Sequence, residues 1–206
     1  MKSKRVFSTI AGLCLSILIT GCSSSPYNDY QALVERKPGK IFENINEIVK
    51  TVPAKELSTT KEQLAKIRIT DPVMRLGKVV SNFKLFKSVE LDIATYQVDI
   101  VSDCYECVGF RKKTVLPYLE LYDSNQNVVK TIDTLNLLGT GHSINKSFNV
   151  LQPGYYYFLV AADNRSLDDS QITTSKISTS TGSFSVPISV QNSPEGDVKI
   201  KLSKIE

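Results

Sequence analysis

Apolar and polar residues alternate with a period of two along most of the chain after residue 66. Val98 and Ile100 follow this pattern, as do Val198, Ile200 and Leu202. Successive side chains of a strand point to opposite faces, so each such segment buries one face and exposes the other. The same alternation marks three further predicted strands, at Val89–Ile93, Leu119–Leu121 and Val186–Val190.

One segment, Tyr155–Val160, is apolar throughout and is typical of a central strand that is covered on both faces. Turn residues separate the predicted strands at Asp123–Asn127, Gln152–Gly154 and Ser193–Asp197. About eight or nine strands without an intervening helix predict an all-β domain, an antiparallel β-sandwich, over residues 66–206.

The segment before residue 66 has a different period. Apolar residues recur every three to four positions from Ile41 to Val52, with prolines on both sides, and predict an amphipathic helix. Its polar side lacks the Lys and Arg excess of a membrane-surface helix, so we expect it to pack on the sheet or to dock a partner. Thr59–Gln63 has the spacing of a capping box, although the strand-like Lys66–Ile69 follows it directly.

The N-terminus has the three parts of a secretory signal peptide. Basic residues precede the apolar segment Ile10–Ile19, which is too short for a permanent membrane-spanning helix, and the small pair Thr20-Gly21 precedes Cys22. A cysteine directly after the small pair is the lipobox pattern of bacterial lipoproteins, in which the cysteine thiolate takes up a diacylglyceryl group. Two or three acyl chains give stable anchoring to a bilayer. The alternative is an ordinary signal peptide with a coincidental cysteine.

These features predict a signal peptide (1–21), an acylated N-terminus with a helical leader (22–65), and the sandwich (66–206). Ser23–Pro26 is predicted to be a short polar tether. In bacterial lipoproteins, serine rather than aspartate after the cysteine implies transfer to the outer membrane. We therefore expect a lipid anchor in the outer membrane and a sandwich that faces the periplasm, with the cell surface as the alternative.

Removing the signal peptide changes the charge that a partner meets. The chain carries a net charge of +4, and loss of three basic signal residues leaves the mature chain at +1. Such a chain has no basic field for nucleic acid, so we expect no nucleic-acid partner. The 185 residues that remain suit one domain of ordinary size plus a leader.

Cys104 and Cys107 are the cysteines left for the mature body, because Cys14 leaves with the signal peptide and Cys22 is consumed by lipid. A redox C-x-x-C motif sits at a helix N-terminus, which lowers the thiol pKa, but strand-like residues flank this one. A zinc site needs two more ligands, and the chain has one histidine, His142. We expect a structural disulfide bond first, then redox activity, then a metal site.

Other candidate motifs favour structural interpretations. His142 lies in a glycine-containing loop without a G-x-S-x-G motif, which favours a solvated histidine over a catalytic triad. Asp123-x-Asn125-x-Asn127 begins like an EF-hand loop, but Val128 occupies the position that requires glycine. The sequence therefore predicts no catalytic residue and no cofactor.

Two further groups bear on ligands. Asp163-Asn164 with Asp168-Asp169 offers oxygen ligands for a cation, but a polar loop after a buried strand is the favoured interpretation, so no metal site is predicted. The rings of Tyr155–Tyr157 suit the apolar faces of sugars, although tyrosines within a strand are more often core residues.

Five segments spread over residues 57–204 follow one another in a characteristic order: Ile69–Pro72, Ser81-x-Phe83-x-Leu85, Leu116–Asp123, Tyr155–Ser170 and Pro194–Leu202. This order resembles the maltose-operon periplasmic proteins of Gram-negative bacteria. The resemblance implies a non-catalytic, periplasm-facing β-sandwich linked to carbohydrate uptake, with maltodextrin as the substrate class. The lipobox and the Cys104/Cys107 pair depart from that family's pattern.

A second resemblance concerns the strand-turn-strand segment Leu119–Val129 together with Gln152–Tyr156. These segments are similar to the jelly-roll domains appended to secreted peptidases, which implies a jelly-roll-like sandwich.

Three classes of function follow from these observations. The first is a lipid-anchored, non-enzymatic accessory or binding module, whose segments Cys104–Lys113 and Gly139–Asn145 contact a protein partner in the envelope. The second is a glycan- or peptidoglycan-binding module, or a structural partner of an outer-membrane complex. The third is a hydrolase that uses His142.

Overall fold

The computed structural model describes residues 25–36, 39–108, 111–132, 143–180 and 182–205. Strands dominate this part of the chain, and its α-helices lie before residue 52. No helix within it is long and apolar enough to span a bilayer. The elements in chain order are α1 (Pro26–Glu35), β1 (Ile41–Phe42), α2 (Ile45–Thr51), β2 (Lys55–Leu57), β3 (Gln63–Ile67), β4 (Val73–Leu76), β5 (Val79–Ser88), β6 (Ala94–Ser102), β7 (Cys104–Val108), β8 (Arg111–Thr114), β9 (Pro117–Tyr122), β10 (Val128–Ile132), β11 (Ser143–Val150), β12 (Tyr157–Ala162), a 3₁₀ turn (Asn164–Ser166), β13 (Ser170–Thr179), β14 (Gly182–Asn192) and β15 (Gly196–Ile205).

The described strands form three sheets. The first has the order β1-β4-β5-β12-β9-β10, with β2 beside the C-terminal half of β5. The second has the order β11-β6-β15-β3, and the third the order β13-β14-β8-β7. Neighbouring strands are antiparallel except in the pairs β1–β4, β2–β5 and β8–β14. The predicted β-sandwich with a short N-terminal helical segment is confirmed. The three parallel pairs were not predicted, because alternation along one strand does not show the direction of the neighbouring strand.

The main core lies between the first and second sheets. Leu119, Leu121 and Phe158 contribute from the first sheet, and Ile100 and Ile200 contribute from the second, all fully buried. Burial of a side chain of this size stabilises a fold by about 1.5–3 kcal/mol. The apolar residues of the alternating pattern therefore lie on the face of each sheet that packs against the other sheet.

The strand predicted at Val89–Ile93 is wrong. This segment connects β5 of the first sheet to β6 of the second. It is held by one isolated bridge between Leu91 and Gly154 and by a hydrogen bond from the Val89 backbone N–H to the Leu57 carbonyl at 3.1 Å, not by a strand ladder. Leu91 is buried, whereas Ile93 is exposed. A segment that crosses from one sheet to another leaves the hydrogen-bonded ladder of each sheet. Its apolar and polar residues therefore alternate although its backbone is not paired as a strand.

The central strand is β12, which pairs with β5 on one side and β9 on the other. All residues from Phe158 to Ala162 are buried. The predicted strand at Tyr155–Val160, covered on both faces, is confirmed, with its start and end each two residues later than predicted.

The amphipathic helix predicted from Ile41 to Val52 exists as the shorter α2. Ile41 belongs to β1, and the helix begins at Ile45 after Asn44, whose side chain accepts a hydrogen bond from the Glu47 backbone N–H at 3.0 Å. Ile45 and Ile48 cover the outer face of the first sheet. The expectation that this helix packs on the sheet is therefore confirmed.

Helix α1 is an element that the sequence analysis missed. Ser25 caps it by accepting a hydrogen bond from the Asn28 backbone N–H at 3.2 Å, and Pro26 is its first residue, the position that proline favours. Val34 packs with Val73, Val80 and Leu167 in a separate apolar cluster. Assigning Ser25 and Pro26 to a flexible tether was wrong, because both belong to the start of a helix that is attached to the body.

The predicted capping box at Thr59–Gln63 is also wrong, because Gln63 begins β3. The predicted boundary at residue 66 falls inside this strand. Leu57 of β2 and Ala65 of β3 are both fully buried in the main core. The second half of the leader is therefore part of the sandwich.

Candidate functional site

The N-terminal helix is held at one end of the sandwich by contacts distant in sequence. The Tyr30 hydroxyl donates to Asn82 Oδ1 at 2.7 Å in a buried contact, and burial raises the pKa of this tyrosine. The Tyr27 backbone N–H donates to Asp168 Oδ1 at 2.9 Å. The buried hydrogen bond of Tyr30 fixes the position of α1 on the sandwich. The bond between Tyr27 and the loop at Asp168 holds its first turn and so fixes its direction.

A shallow cavity of about 300 Å³ lies beside the first turn of α1. Pro26, Asp29 and Lys113 line it together with the segment Gln191–Glu195. We refer to this region, the first turn of α1 with Asp168 and residues 191–195, as the α1 end of the sandwich.

A second concave site lies between the β9–β10 turn and the β11–β12 turn, and we call it the distal pocket. Its volume is about 270 Å³. The first turn is closed by Asp123, which accepts the Asn127 backbone N–H at 2.8 Å and the Asn127 side-chain amide at 3.0 Å. The lining residues are Asp123, Ser124, Asn125, Asn127, Val129, Asn149, Leu151, Gln152, Pro153 and Tyr156.

The distal pocket combines short polar side chains with exposed apolar surface. Leu151 is 78% exposed, and Val129 is also exposed. Asn149 accepts a hydrogen bond from Thr95 Oγ1 at 3.0 Å, and the Tyr156 hydroxyl donates to the Gln152 carbonyl at 3.0 Å. Amide and carboxylate groups beside an apolar surface suit a ligand that presents both hydroxyl groups and C–H faces.

The two concave sites lie at opposite ends of the sandwich. β15 begins at Gly196, next to the α1 end, and ends at Ile205, which pairs with Thr95 beside the distal pocket. β9 likewise begins at Pro117, beside Ala162, and ends at Tyr122, directly before the pocket. Strands rise about 3.3 Å per residue, so the ten residues of β15 span roughly 30 Å between the two ends.

A third concave site is a groove on the outer face of the first sheet, between α2 and β9, with a volume of about 350 Å³. Tyr118, Glu120 and Tyr122 alternate along β9 and share this face. Both tyrosine hydroxyls donate to the Glu120 carboxylate. Burial and the neighbouring carboxylate raise the pKa of both tyrosines, which keeps them protonated as donors.

The charged groups of this groove have partners within the protein. Arg75 Nε donates to Glu43 Oε1 at 3.0 Å, and Arg165 Nε donates to Asp163 Oδ1 at 2.8 Å. The Arg165 guanidinium also lies 5.4 Å from the ring centroid of Tyr118. These pairings favour a structural role for the groove. The distal pocket is the better candidate for a ligand because it also presents the exposed apolar side chains of Leu151 and Val129.

The cysteine motif lies on a strand. Cys104 is disulfide-bonded and belongs to β7, which pairs with β8 through a bulge between Cys104 and Glu106. Residues three apart lie on opposite sides of a regular strand, and a bulge shifts this alternation. The side chain of Cys107 lies outside the described residues, so its bond with Cys104 stays a prediction, as do the roles of Cys22 and His142, which are also outside them.

The four residues that offer oxygen ligands for a cation, Asp163, Asn164, Asp168 and Asp169, lie in or beside the 3₁₀ turn, and three of them bind protein groups through their side chains. Asp163 binds Arg165, the Asn164 side-chain amide donates to the Val80 carbonyl at 3.0 Å, and Asp168 holds the first turn of α1. Among the described residues, no group of three or more His, Cys, Asp or Glu side chains is arranged to hold a metal ion.

The tyrosine segment does not form a row of exposed rings. Tyr156 is buried in the main core, whereas Tyr155 is 43% exposed. Lys87 Nζ lies 4.2 Å from the ring centroid of Tyr155. The burial of Tyr156 agrees with the favoured interpretation that tyrosines within a strand are core residues. The distal pocket is formed by the neighbouring turns, which the sequence marked only as connections between strands.

No protein-family model and no curated protein matches this chain. Among solved structures, it is similar to CorA, a surface-associated copper-binding protein important in copper acquisition in Methylomicrobium album BG8, at 9% sequence identity and a TM-score of 0.32. The alignment covers 74% of this chain and 98% of CorA. A similarity of this size transfers no function to this chain.

Proposed function

We propose that this protein is a lipid-anchored, non-catalytic lipoprotein of the outer membrane that acts as an accessory or binding module facing the periplasm. The observation that carries the proposal is the position of Cys22 between an export signal and the start of the fold. Ser25, the cap of α1, is three residues further on. Cleavage before Cys22 therefore leaves the helix, the sheets and the distal pocket intact.

Substitution of the acylated residue tests the anchor. Cys22→Ser removes the thiolate that accepts the diacylglyceryl group, so we expect the protein to leave the membrane fraction and to lose incorporation of labelled fatty acid. Cys14→Ser is the matched control, because Cys14 lies in the apolar part of the signal that is discarded. Unchanged membrane fractionation of Cys22→Ser would refute the proposal.

A glycan-binding role is the second candidate, and the distal pocket is the observation that favours it. Its amide and carboxylate groups are suited to sugar hydroxyl groups, and the exposed Leu151 and Val129 are suited to the apolar face of a sugar ring. The resemblance to maltose-operon periplasmic proteins suggests maltodextrin, and the envelope location suggests peptidoglycan.

Retention on immobilised maltodextrin and on purified peptidoglycan tests this role. We expect retention of the mature protein on one of them and its loss in an Asn125→Ala/Leu151→Ser variant. Ile172→Ser is the control, because Ile172 is 80% exposed on β13 and does not line the pocket. Absence of retention of the unsubstituted protein on both materials excludes the glycan role and leaves a protein partner as the remaining class.

A further inference from the structure

We infer that the α1 end of the sandwich is held against the bilayer and that the distal pocket points away from it. This inference rests on the proposed lipid anchor at Cys22. It adds to that anchor a defined surface that meets the lipid head groups and a defined direction for the opposite end.

The first argument is the length of the tether. Two residues, Ser23 and Ser24, separate Cys22 from the helix cap Ser25. An extended chain spans at most about 3.6 Å per residue, so the cap lies within roughly 11 Å of the acylated cysteine. This distance is too short for the sandwich to move freely above the membrane.

The second argument is the attachment of α1. A helix on a mobile arm would leave the orientation of the body undetermined, but Tyr30 donates to Asn82 in a buried contact and Tyr27 is bound to Asp168. The short tether therefore restrains the whole sandwich through a helix that is part of it. Restraint at the first turn of α1 brings the neighbouring segment Gln191–Glu195 to the membrane as well.

The third argument is the direction of the strands. β15 starts beside the α1 end and ends beside the distal pocket, roughly 30 Å further on at the usual rise per residue. With one end of these strands restrained at the lipid surface, the other end extends toward the periplasm. The pocket is then presented to soluble partners and to the peptidoglycan side.

The charge of the α1 end indicates that the lipid chains hold it there. Asp29 and Glu195 line the cavity at this surface together with Lys113, Asp168 binds the first turn of α1, and Asp169 lies next to it through the Asn192 backbone. An excess of carboxylates is repelled by anionic lipid head groups and does not bind a membrane surface by itself. Contact with the bilayer should therefore disappear with the acyl chains and with a longer tether.

The absence of tryptophan from the chain permits a direct test. Two variants of the lipidated protein each carry one tryptophan at an exposed position: Asn28→Trp on the first turn of α1, and Leu151→Trp at the distal pocket. Both are reconstituted into phosphatidylcholine vesicles containing a lipid with a nitroxide on its head group, which quenches nearby tryptophan emission. Far-UV circular dichroism first confirms that each variant keeps the strand signal.

We expect several-fold quenching of Asn28→Trp and little change for Leu151→Trp. A third variant adds a linker of about twelve Gly and Ser residues between Ser24 and Ser25 of Asn28→Trp, with a root-mean-square span of roughly 20 Å, and should lose most of the quenching. Equal quenching of both positions, or stronger quenching of Leu151→Trp, overturns the orientation.

Flotation of the vesicles separates this failure from failure of the anchor. If the lipidated protein does not float with the vesicles, the proposed anchor is wrong, and the inferred orientation, which depends on the anchor, is wrong as well. If the protein floats but the two tryptophans are quenched alike, the anchor stands and the orientation alone is wrong.

Discussion

At the scale of single residues, three buried tyrosines act as hydrogen-bond donors through their hydroxyl groups. Tyr30 attaches α1 to β5, and Tyr118 and Tyr122 donate to the same carboxylate on β9. Burial raises the pKa of all three, because removing the phenolate from water disfavours its charge. For Tyr118 and Tyr122 the neighbouring Glu120 adds to this effect.

These shifts predict a loss of stability in alkaline solution. An unfolded tyrosine releases its proton at about pH 10, whereas the three folded tyrosines retain theirs at that pH. The stabilising contribution is therefore complete below that pH and decreases as the pH rises above it. Circular dichroism and tyrosinate absorbance, recorded together, should show these tyrosines ionising only as the strand signal is lost.

The same titration in concentrated urea is the control. Ionisation of all nine tyrosines near pH 10 in a protein that remains folded would contradict the prediction.

Glu120 is predicted to stabilise the fold as the shared acceptor of two hydroxyls. Glu120→Ala leaves the Tyr118 and Tyr122 hydroxyls without their acceptor. Both contacts are part-buried, so we expect a loss of about 1 kcal/mol for each hydroxyl, the lower end of the cost of an unsatisfied buried group. Glu120→Gln keeps an acceptor and should lose less of the free energy of unfolding, measured by urea denaturation. Glu90→Ala, at an exposed site, is the control. If Glu120→Ala is as stable as the control, the shared carboxylate does not contribute to the free energy of unfolding.

At the scale of elements, the β7–β8 hairpin carries the predicted disulfide bond. Under the structural interpretation, Cys104→Ser/Cys107→Ser lowers the free energy of unfolding by about 2 kcal/mol, the entropic value for so short a loop. Membrane flotation and ligand retention should persist at low temperature. The measurement is urea denaturation with and without a reducing agent, and the reduced unsubstituted protein should match the variant. Complete loss of function in a variant that is still folded would instead support the redox interpretation.

Helix α1 shows how local signals act together with tertiary contacts. Ser25 and Pro26 are a recognisable helix start, but the following residues have a weak apolar period. What stabilises α1 is the burial of Tyr30 and Val34 against residues far along the chain, among them Leu167. A short helix of this kind depends on its packing more than on its propensity.

At the scale of the whole molecule, the N-terminal helix is predicted to be part of the folded unit. Truncation to a chain that begins at Lys37 exposes the apolar cluster around Val73 and Val80. We expect a loss of at least about 3 kcal/mol in the free energy of unfolding, the usual cost of removing one large buried aromatic side chain. The matched control begins at Ser25, keeps α1 and lacks the acylated cysteine. Equal urea midpoints for the two truncations would contradict a structural role for α1.

Much of the sandwich could be predicted because alternation reports burial residue by residue. Val198, Ile200 and Leu202 are buried as expected, and the apolar β12 is the central strand. The segment Val89–Ile93 carries the same alternation but crosses between sheets, which a pattern along one segment does not distinguish from pairing. The distal pocket was not predicted, because its two turns are separated by the whole of β10 and β11 in the chain and meet only in the fold.

The sequence by itself determined the features that neighbouring residues define: the lipobox pattern before Cys22, the alternating strands, and the turns between them. These depend on side-chain chemistry and spacing within about ten residues. Only the tertiary structure decided where those features lie relative to one another. Tyr27 and Asp168 are 141 positions apart, and their hydrogen bond fixes the start of the fold at one end of the sandwich. The distal pocket is at the other end because β9 and β15 cross the whole sandwich, and strand direction is a property of the sheet.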